Sequence, residues 1–298
     1  MRFANAPISY GVFGDLTVEG ATTTEELLAT MAETGYAGSE LGPPGFFGSI
    51  DRMVASFDAA GIDAVGAYVP LNTQQPGPVL DRDLERMEIT LDEIEAVNPG
   101  ALVILADEGD AEIIAQPRKD PSRMLGAEDW KQLVETVQGA ADRARARGLE
   151  VSYHPHVGTF VELPDEIERF LNDTDIPLTY DIGHVVLAGG DGVALFRRWR
   201  DRINHVHIKD VLPGVLEEAR ANGADFEEWF PRACTRLGEG ESNLAAFAGA
   251  LRDTGYDGWV VVEQDREPLT ADTYRRVVAD QRTNLEWLQR HLAVSAAN

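Results

Sequence analysis

Short runs of apolar, mostly β-branched residues alternate along this chain with longer stretches whose apolar positions recur every three or four residues. These are the periods of strand and amphipathic helix. Ile8–Phe13 reads as a first strand, and Thr22-Thr-Thr-Glu-Glu26 opens a helix with a hydroxyl cap followed by acids. Tyr36–Leu41 is a second strand, and Ser49–Ala60 a helix closed by Gly61. Ala64–Val69 is a third strand, followed by the Pro/Gly-rich loop 70–78 and a helix over Arg82–Val97. Ala101–Ala106 is the fourth, and a loop with Asp107, Glu108 and Asp110 leads to a helix over Ala127–Arg147 that Gly148 ends. Leu149–His154, Leu178–Asp181, Ile203–Ile208 and Trp259–Glu263 are strands five to eight, with helices at Pro164–Leu171, Val193–Arg200, Leu244–Thr254 and Ala271–His291. Eight strand–helix units over residues 1–298, with no linker, predict a single-domain (β/α)8 TIM barrel. A doubly wound open sheet is the alternative, but Gly11-Val-Phe-Gly14 lacks the spacing of a phosphate-binding turn.

One segment breaks the rhythm. Val211–Ser242, the insertion after strand seven, is too long for an ordinary βα loop. It carries Phe226, Trp229, Phe230 and Pro231, which predict a packed, partly helical piece. In a barrel it stands at the active-site face, either as a substrate wall with Trp229 facing the ligand or as an oligomer contact.

Composition narrows the function. The chain has 298 residues, is 44% hydrophobic and carries a net charge of −25. It can bury a large core. Its acidity disfavours nucleic acid and anionic membranes as partners and leaves a homo-oligomer open. Lysine occurs only at Lys119, Lys131 and Lys209, and cysteine only at Cys234. Cysteine-based zinc sites and internal disulfides are therefore excluded. Without an apolar stretch of signal or membrane length, the expected location is cytoplasmic.

Candidate chemistry gathers at predicted strand ends. Five of the six histidines fall between His154 and His207, in Val-Ser-Tyr-His154-Pro-His156, Thr-Tyr-Asp181-Ile-Gly-His184 and Ile-Asn-His205-Val-His207-Ile-Lys209-Asp210. Trp-Val-Val-Val-Glu263-Gln-Asp265 has the same shape. In a barrel these ends share one mouth, together with Glu40 and Asp107. A lone histidine there is more often a hydrogen-bonded core residue than a ligand, and Asp181 before Ile-Gly could simply cap a turn. Four strands placing such groups at one height favour a metal site. Two imidazoles and two carboxylates suit Mn²⁺, Co²⁺, Fe²⁺ or Zn²⁺.

At these residues the chain resembles the xylose-isomerase-like TIM-barrel superfamily, and within it the inosose (2-keto-myo-inositol) dehydratase family. The matching stretches are Gly35-Tyr-Ala-Gly-Ser-Glu40-Leu-Gly-Pro, Tyr153-His-Pro-His-Val-Gly-Thr159, Asp181-Ile-Gly-His184 with Ala188-Gly-Gly-Asp191, Arg202-Ile-Asn-His-Val-His-Ile-Lys-Asp210, and Gly255-Tyr-Asp-Gly-Trp-Val-Val-Val-Glu-Gln264. The resemblance implies metal ligands at Asp181, His207 and Glu263, with His154 where the epimerases carry glutamate. It implies a divalent cofactor, with Mn²⁺ or Co²⁺ favoured over Zn²⁺, Fe²⁺ or Mg²⁺. Glu263, Lys209 and His184 are the implied proton-transfer groups. Glu40, His156, Asp107 and Trp229 are the substrate contacts. Lys209 could instead pair with Asp210 or a barrel carboxylate. The implied activity is dehydration of a keto-inositol through an enediolate, with a ketose isomerase or epimerase on the same metal site as the alternative. Pro155, Val157 and the turn Arg236-Leu-Gly-Glu-Gly240 depart from the dehydratase pattern.

Overall fold

Eight short parallel strands close on themselves in the computed structural model, which describes residues 1–12, 22–117, 120–267 and 270–292. In chain order they are Arg2–Asn5, Gly38–Leu41, Asp63–Leu71, Leu102–Asp107, Val151–Tyr153, Leu178–Asp181, Ile203–Ile208 and Trp259–Val262. Each pairs with its neighbours in sequence, and the eighth returns to the first through Arg2↔Trp259 and Asn5↔Val262. The barrel is therefore a (β/α)8 barrel, as expected. Its main apolar core lies where barrel side chains such as Val206, Ile208, Val260 and Val262 meet helix residues such as Leu28, Leu133, Phe170 and Leu288. No helix among the described residues is long and apolar enough to cross a membrane.

The expected first strand is displaced. Ile8 and its neighbours do not extend. Pro7–Tyr10 forms one 3₁₀ turn, with Pro7 at its start and Gly11 closing it at φ 77°. Proline presets the turn dihedral and glycine alone takes the left-handed cap without strain. Phe13 lies outside the described residues. The true first strand, Arg-Phe-Ala-Asn, has no apolar run, because Asn5 is buried and donates to Gln281 Oε1 at 3.0 Å.

The helices follow their caps. Thr23 and Glu26 form a reciprocal capping box on Thr24–Thr34, and Ser49 accepts from Arg52 N at the head of Ile50–Ala60. The helix after the third strand begins at Pro78, four residues before the expected Arg82. A short helix, Ala111–Ala115, interrupts the loop after the fourth strand.

The insertion after the seventh strand folds as expected into helices, Pro213–Asn222 and Phe226–Ala233. A two-stranded antiparallel ribbon, Asp210–Val211 with Cys234–Thr235, pins its base. It carries a satellite core in which Trp229 and Phe230 pack with Val157, Leu187, Leu216 and Cys234. Asp210 organises the returning turn by accepting N–H bonds from Gly238 at 2.8 Å, Gly240 at 2.9 Å and Ser242 at 3.1 Å. A side chain at 240 would run into the Asp210 carboxylate, so the turn requires glycine there.

Candidate metal centre

The Asp-Ile-Gly-His motif builds the centre of the barrel mouth. Asp181 ends the sixth strand and caps the helix Ile182–Leu187, its Oδ1 accepting from Gly183 N at 2.7 Å and His184 N at 3.2 Å. That leaves Oδ2 turned into the mouth. Gly183 is required because a side chain there would strike the stem of Lys209. His184, one turn on, brings its Nε2 back to 3.7 Å from Asp181 Oδ2.

Three other strand ends converge on the same oxygen. His154 Nε2 lies 3.8 Å and His207 Nδ1 3.9 Å from it. Asp181 and His207 are direct partners in the parallel register, which explains their common height. Glu263, one residue past the eighth strand, places Oε2 2.7 Å from His207 Nδ1. Both ring nitrogens of His154 are buried without a hydrogen-bond partner, and Asp181 Oδ2, His207 Nδ1 and Glu263 Oε2 are buried with only one another, the histidines and Lys209 as polar neighbours. Burying polar atoms unpaired costs several kcal/mol in general, and the free ring nitrogens of His154 stand where these carboxylates and His207 meet. Ligand atoms of His154, Asp181, His184 and Glu263 all lie within 4.8 Å of one another. Nitrogen and carboxylate donors at that spacing fit a divalent cation.

Lys209 lies beneath this cluster with no exposure to solvent. Its Nζ is 2.6 Å from Asp265 Oδ2, 3.0 Å from His184 Nε2, and 3.4 Å from both Asp181 Oδ2 and Glu263 Oε2. Burial alone would lower the lysine pKa, but Asp181, Asp265 and Glu263 outweigh it and raise it well above the usual value. Burial likewise works to raise the Asp181 carboxyl, and Lys209 with His184 and His154 holds it well below the ordinary range. Of the two pairings open from sequence, the barrel carboxylates take Lys209, while Asp210 is spent on the turn 238–242.

His156 lies just outside the cluster. Its Nδ1–H donates to Val157 O at 2.7 Å, which leaves the lone pair on Nε2. Burial, then the nearby His154 and Lys209, lower its pKa to about 3, so the ring is neutral. Its ring packs against that of His184 at a tilt of 41°, with centroids 3.8 Å apart. His184 is itself driven well below its ordinary range by burial and by His156.

A cavity of about 450 Å³ opens above these groups, bordered by Glu40, Tyr68, Glu108, His154, His156, His207, Phe226, Phe230, Glu263 and Asp265. The barrel thus brings together eight of the ten expected site residues: Glu40, His154, His156, Asp181, His184, His207, Lys209 and Glu263. Two expected substrate contacts lie elsewhere. Asp107 is fully buried, and its carboxylate accepts from Gly109 N, Phe160 N, Val161 N and Tyr153 Oη, which ties the loop after the fifth strand to the fourth. Trp229 is enclosed in the insertion's own core, and Phe226 and Phe230 from the same helix form the wall instead. Asp265 was not expected. It lies two residues beyond Glu263, and that period-two spacing at a strand end is the signal that places both carboxylates on one side.

Comparison with known proteins agrees with this architecture. Residues 28–291 match the family model of the xylose isomerase-like TIM barrel. The chain is 31% identical over 287 residues to an inosose dehydratase of Geobacillus kaustophilus, covering 92% of this chain and 90% of that protein. It is also 31% identical over 271 residues to the rhizopine catabolism protein MocC of Rhizobium meliloti, covering 85% of this chain and 78% of that one. Among solved structures, the IOLI protein with a zinc atom superposes with a TM-score of 0.73 at 15% identity, over 99% of this chain and 100% of that one. A D-allulose 3-epimerase from Methylomonas sp. gives 0.68 at 16% identity, over 98% and 97%. At those identities the structural likenesses speak for the fold alone.

Proposed function

The chain belongs to the xylose isomerase-like TIM-barrel family and, within it, to the inosose dehydratase family, and we propose that it is a metal-dependent carbon–oxygen lyase that removes water from a keto-inositol. The observation that carries this reading is the convergence of buried nitrogen and carboxylate donors of His154, Asp181, His207 and Glu263 on one point, with both His154 nitrogens unpartnered, in a chain 31% identical to an inosose dehydratase. These four residues would hold the cation, with His184 beside them. The mixed imidazole and carboxylate set suits Mn²⁺ or Co²⁺. When bound, a divalent cation supplies Lewis acidity, stabilising negative charge that develops on a ketone oxygen as the neighbouring carbon loses its proton.

The remaining roles follow from protonation and access. His156 lines the cavity as a neutral imidazole with Nδ1–H anchored on Val157 O, so its Nε2 is the atom able to accept or return a substrate proton. His184 backs that ring, and its Nε2 is hydrogen-bonded to Lys209. Lys209 does not border the cavity, so it acts by fixing the charge of Asp181, Glu263 and Asp265 rather than by touching substrate. Phe226 and Phe230 exclude water on one side. Among the described residues bordering the cavity, Glu40, Asp83, Glu108, Glu227, Glu263 and Asp265 face one guanidinium, Arg86. That balance favours an uncharged polyol ketone over a phosphate ester.

Incubation of the Mn²⁺- or Co²⁺-loaded protein with 2-keto-myo-inositol tests the reading. The expected result is loss of water to a dione, abolished by chelation and restored by metal. Proton exchange into a ketose with no loss of water would contradict dehydration and establish an isomerase or epimerase.

A further inference from the structure

Glu40 is the penultimate residue of the second strand, on the far side of His207 from Glu263. Its Oε1 lies 2.8 Å from His207 Nε2 and 2.9 Å from His205 Nε2. A carboxylate only accepts, so both imidazoles carry hydrogen on Nε2. For His207 this decides which nitrogen is left for the cation. Nδ1 is the atom facing Glu263 at 2.7 Å and Asp181 at 3.9 Å, so a cation bound there takes the place of the proton that the Nδ1–Glu263 contact holds.

His205 explains why the arrangement is rigid. It is fully buried, two residues before His207 on the same strand, and its ring packs edge-on against that of His207 with centroids 5.4 Å apart. Two donors from one strand hold a single carboxylate oxygen, so Glu40 cannot swing towards a ligand without losing both. The 2.8 and 2.9 Å separations are those of hydrogen bonds.

From this geometry we propose that Glu40 is a positioning residue for the cation site, orienting His207 to bind through Nδ1, with His205 as the brace that holds Glu40. The proposal rests on the cation reading above and gives Glu40 a role other than substrate binding. Carboxylate partners of a ligating histidine fix its tautomer and raise its basicity, and losing one weakens metal affinity about 10–100-fold.

The test is titration of metal-stripped wild-type and Glu40→Gln protein with Co²⁺, followed by calorimetry and by the visible absorption of the bound ion. The expected result is one ion per chain in both, with Kd about 10–100-fold weaker and an altered absorption band in Glu40→Gln. Unfolding of the metal-stripped proteins serves as the folding control. If Glu40→Gln does not fold, His205→Gln replaces it, with a smaller loss of affinity expected and an unchanged Kd overturning the proposal. Wild-type protein that takes up no ion overturns the cation reading and this proposal with it. Wild-type binding matched by Glu40→Gln overturns the proposal alone. Two ions per wild-type chain and one per variant chain, with unchanged Kd for the survivor, would also overturn it, in favour of a second ion among Glu40, His205 and His207.

Discussion

Asp181→Asn is expected to leave the barrel folded and to reduce dehydration on the order of a thousandfold in kcat/KM. Asparagine keeps the size of the side chain, and its amide oxygen can still cap the helix Ile182–Leu187 in place of Oδ1. What disappears is the negative charge at Oδ2. That atom stands 3.4 Å from Lys209 Nζ and between 3.7 and 3.9 Å from nitrogens of His184, His154 and His207. Glu263, the other carboxylate near these groups, already has its own place beside His207 Nδ1 and Lys209 Nζ and does not stand in for it. Lewis-acid stabilisation of developing charge is worth several kcal/mol, and about 1.4 kcal/mol is a factor of ten. Steady-state kinetics with a parallel metal titration provide the check. Activity within tenfold of wild type, with metal retained, would show that the site is centred elsewhere.

Lys209→Met is expected to destabilise the metal-stripped protein by about 3–5 kcal/mol, the cost of removing one partner from a buried ion pair. Methionine fills a similar volume, so packing around Gly183 and Phe230 changes little. The ammonium is the cation that compensates Asp181, Glu263 and Asp265 together. Without it, three carboxylates are left in a space where burial already drives the Asp265 pKa upward, with Glu263 adding to the rise and Lys209 opposing it. Added divalent cation should recover part of the loss, because it can neutralise Asp181 and Glu263, while Asp265 keeps no counter-ion. Urea unfolding with and without metal measures both effects. A change below about 1 kcal/mol would mean that Lys209 is not the counter-charge of this cluster.

Strands were readable where the chain wrote them in β-branched residues. Leu178–Asp181 and Ile203–Ile208 match residue for residue, and the eighth strand differs only at its end. The first strand was not readable, because Arg-Phe-Ala-Asn carries a buried asparagine whose partner, Gln281, lies 276 residues away. A long-range hydrogen bond leaves no local pattern. Pro7 and Gly11 turned the more strand-like run beside it into a 3₁₀ turn.

The site divides along a similar line. Residue type and strand-end position were enough to gather His154, Asp181, His207 and Glu263, since a closed parallel barrel brings every strand end to one mouth. Which way a side chain points beyond the strand was not encoded so simply. Asp107 stands at a strand end like Asp181, yet its oxygens turn to the N–H groups of Phe160 and Val161. Trp229 is the largest residue of the insertion, and for that reason it fills the insertion's own core rather than facing the cavity. Asp265 was hidden by the opposite bias, because an acid beyond a strand end reads as solvated, although its spacing from Glu263 matches the pleat and the buried lysine shows its place.

Crystals grown with Mn²⁺ or Co²⁺, with anomalous data collected at that metal's absorption edge, show where the cation binds. One strong anomalous peak is expected, about 2.0–2.2 Å from His154 Nε2, Asp181 Oδ2, His207 Nδ1 and Glu263 Oε2, and marks these four residues as its ligands. A fully loaded protein with its peak away from these four atoms, or with none in the barrel mouth, would contradict that assignment.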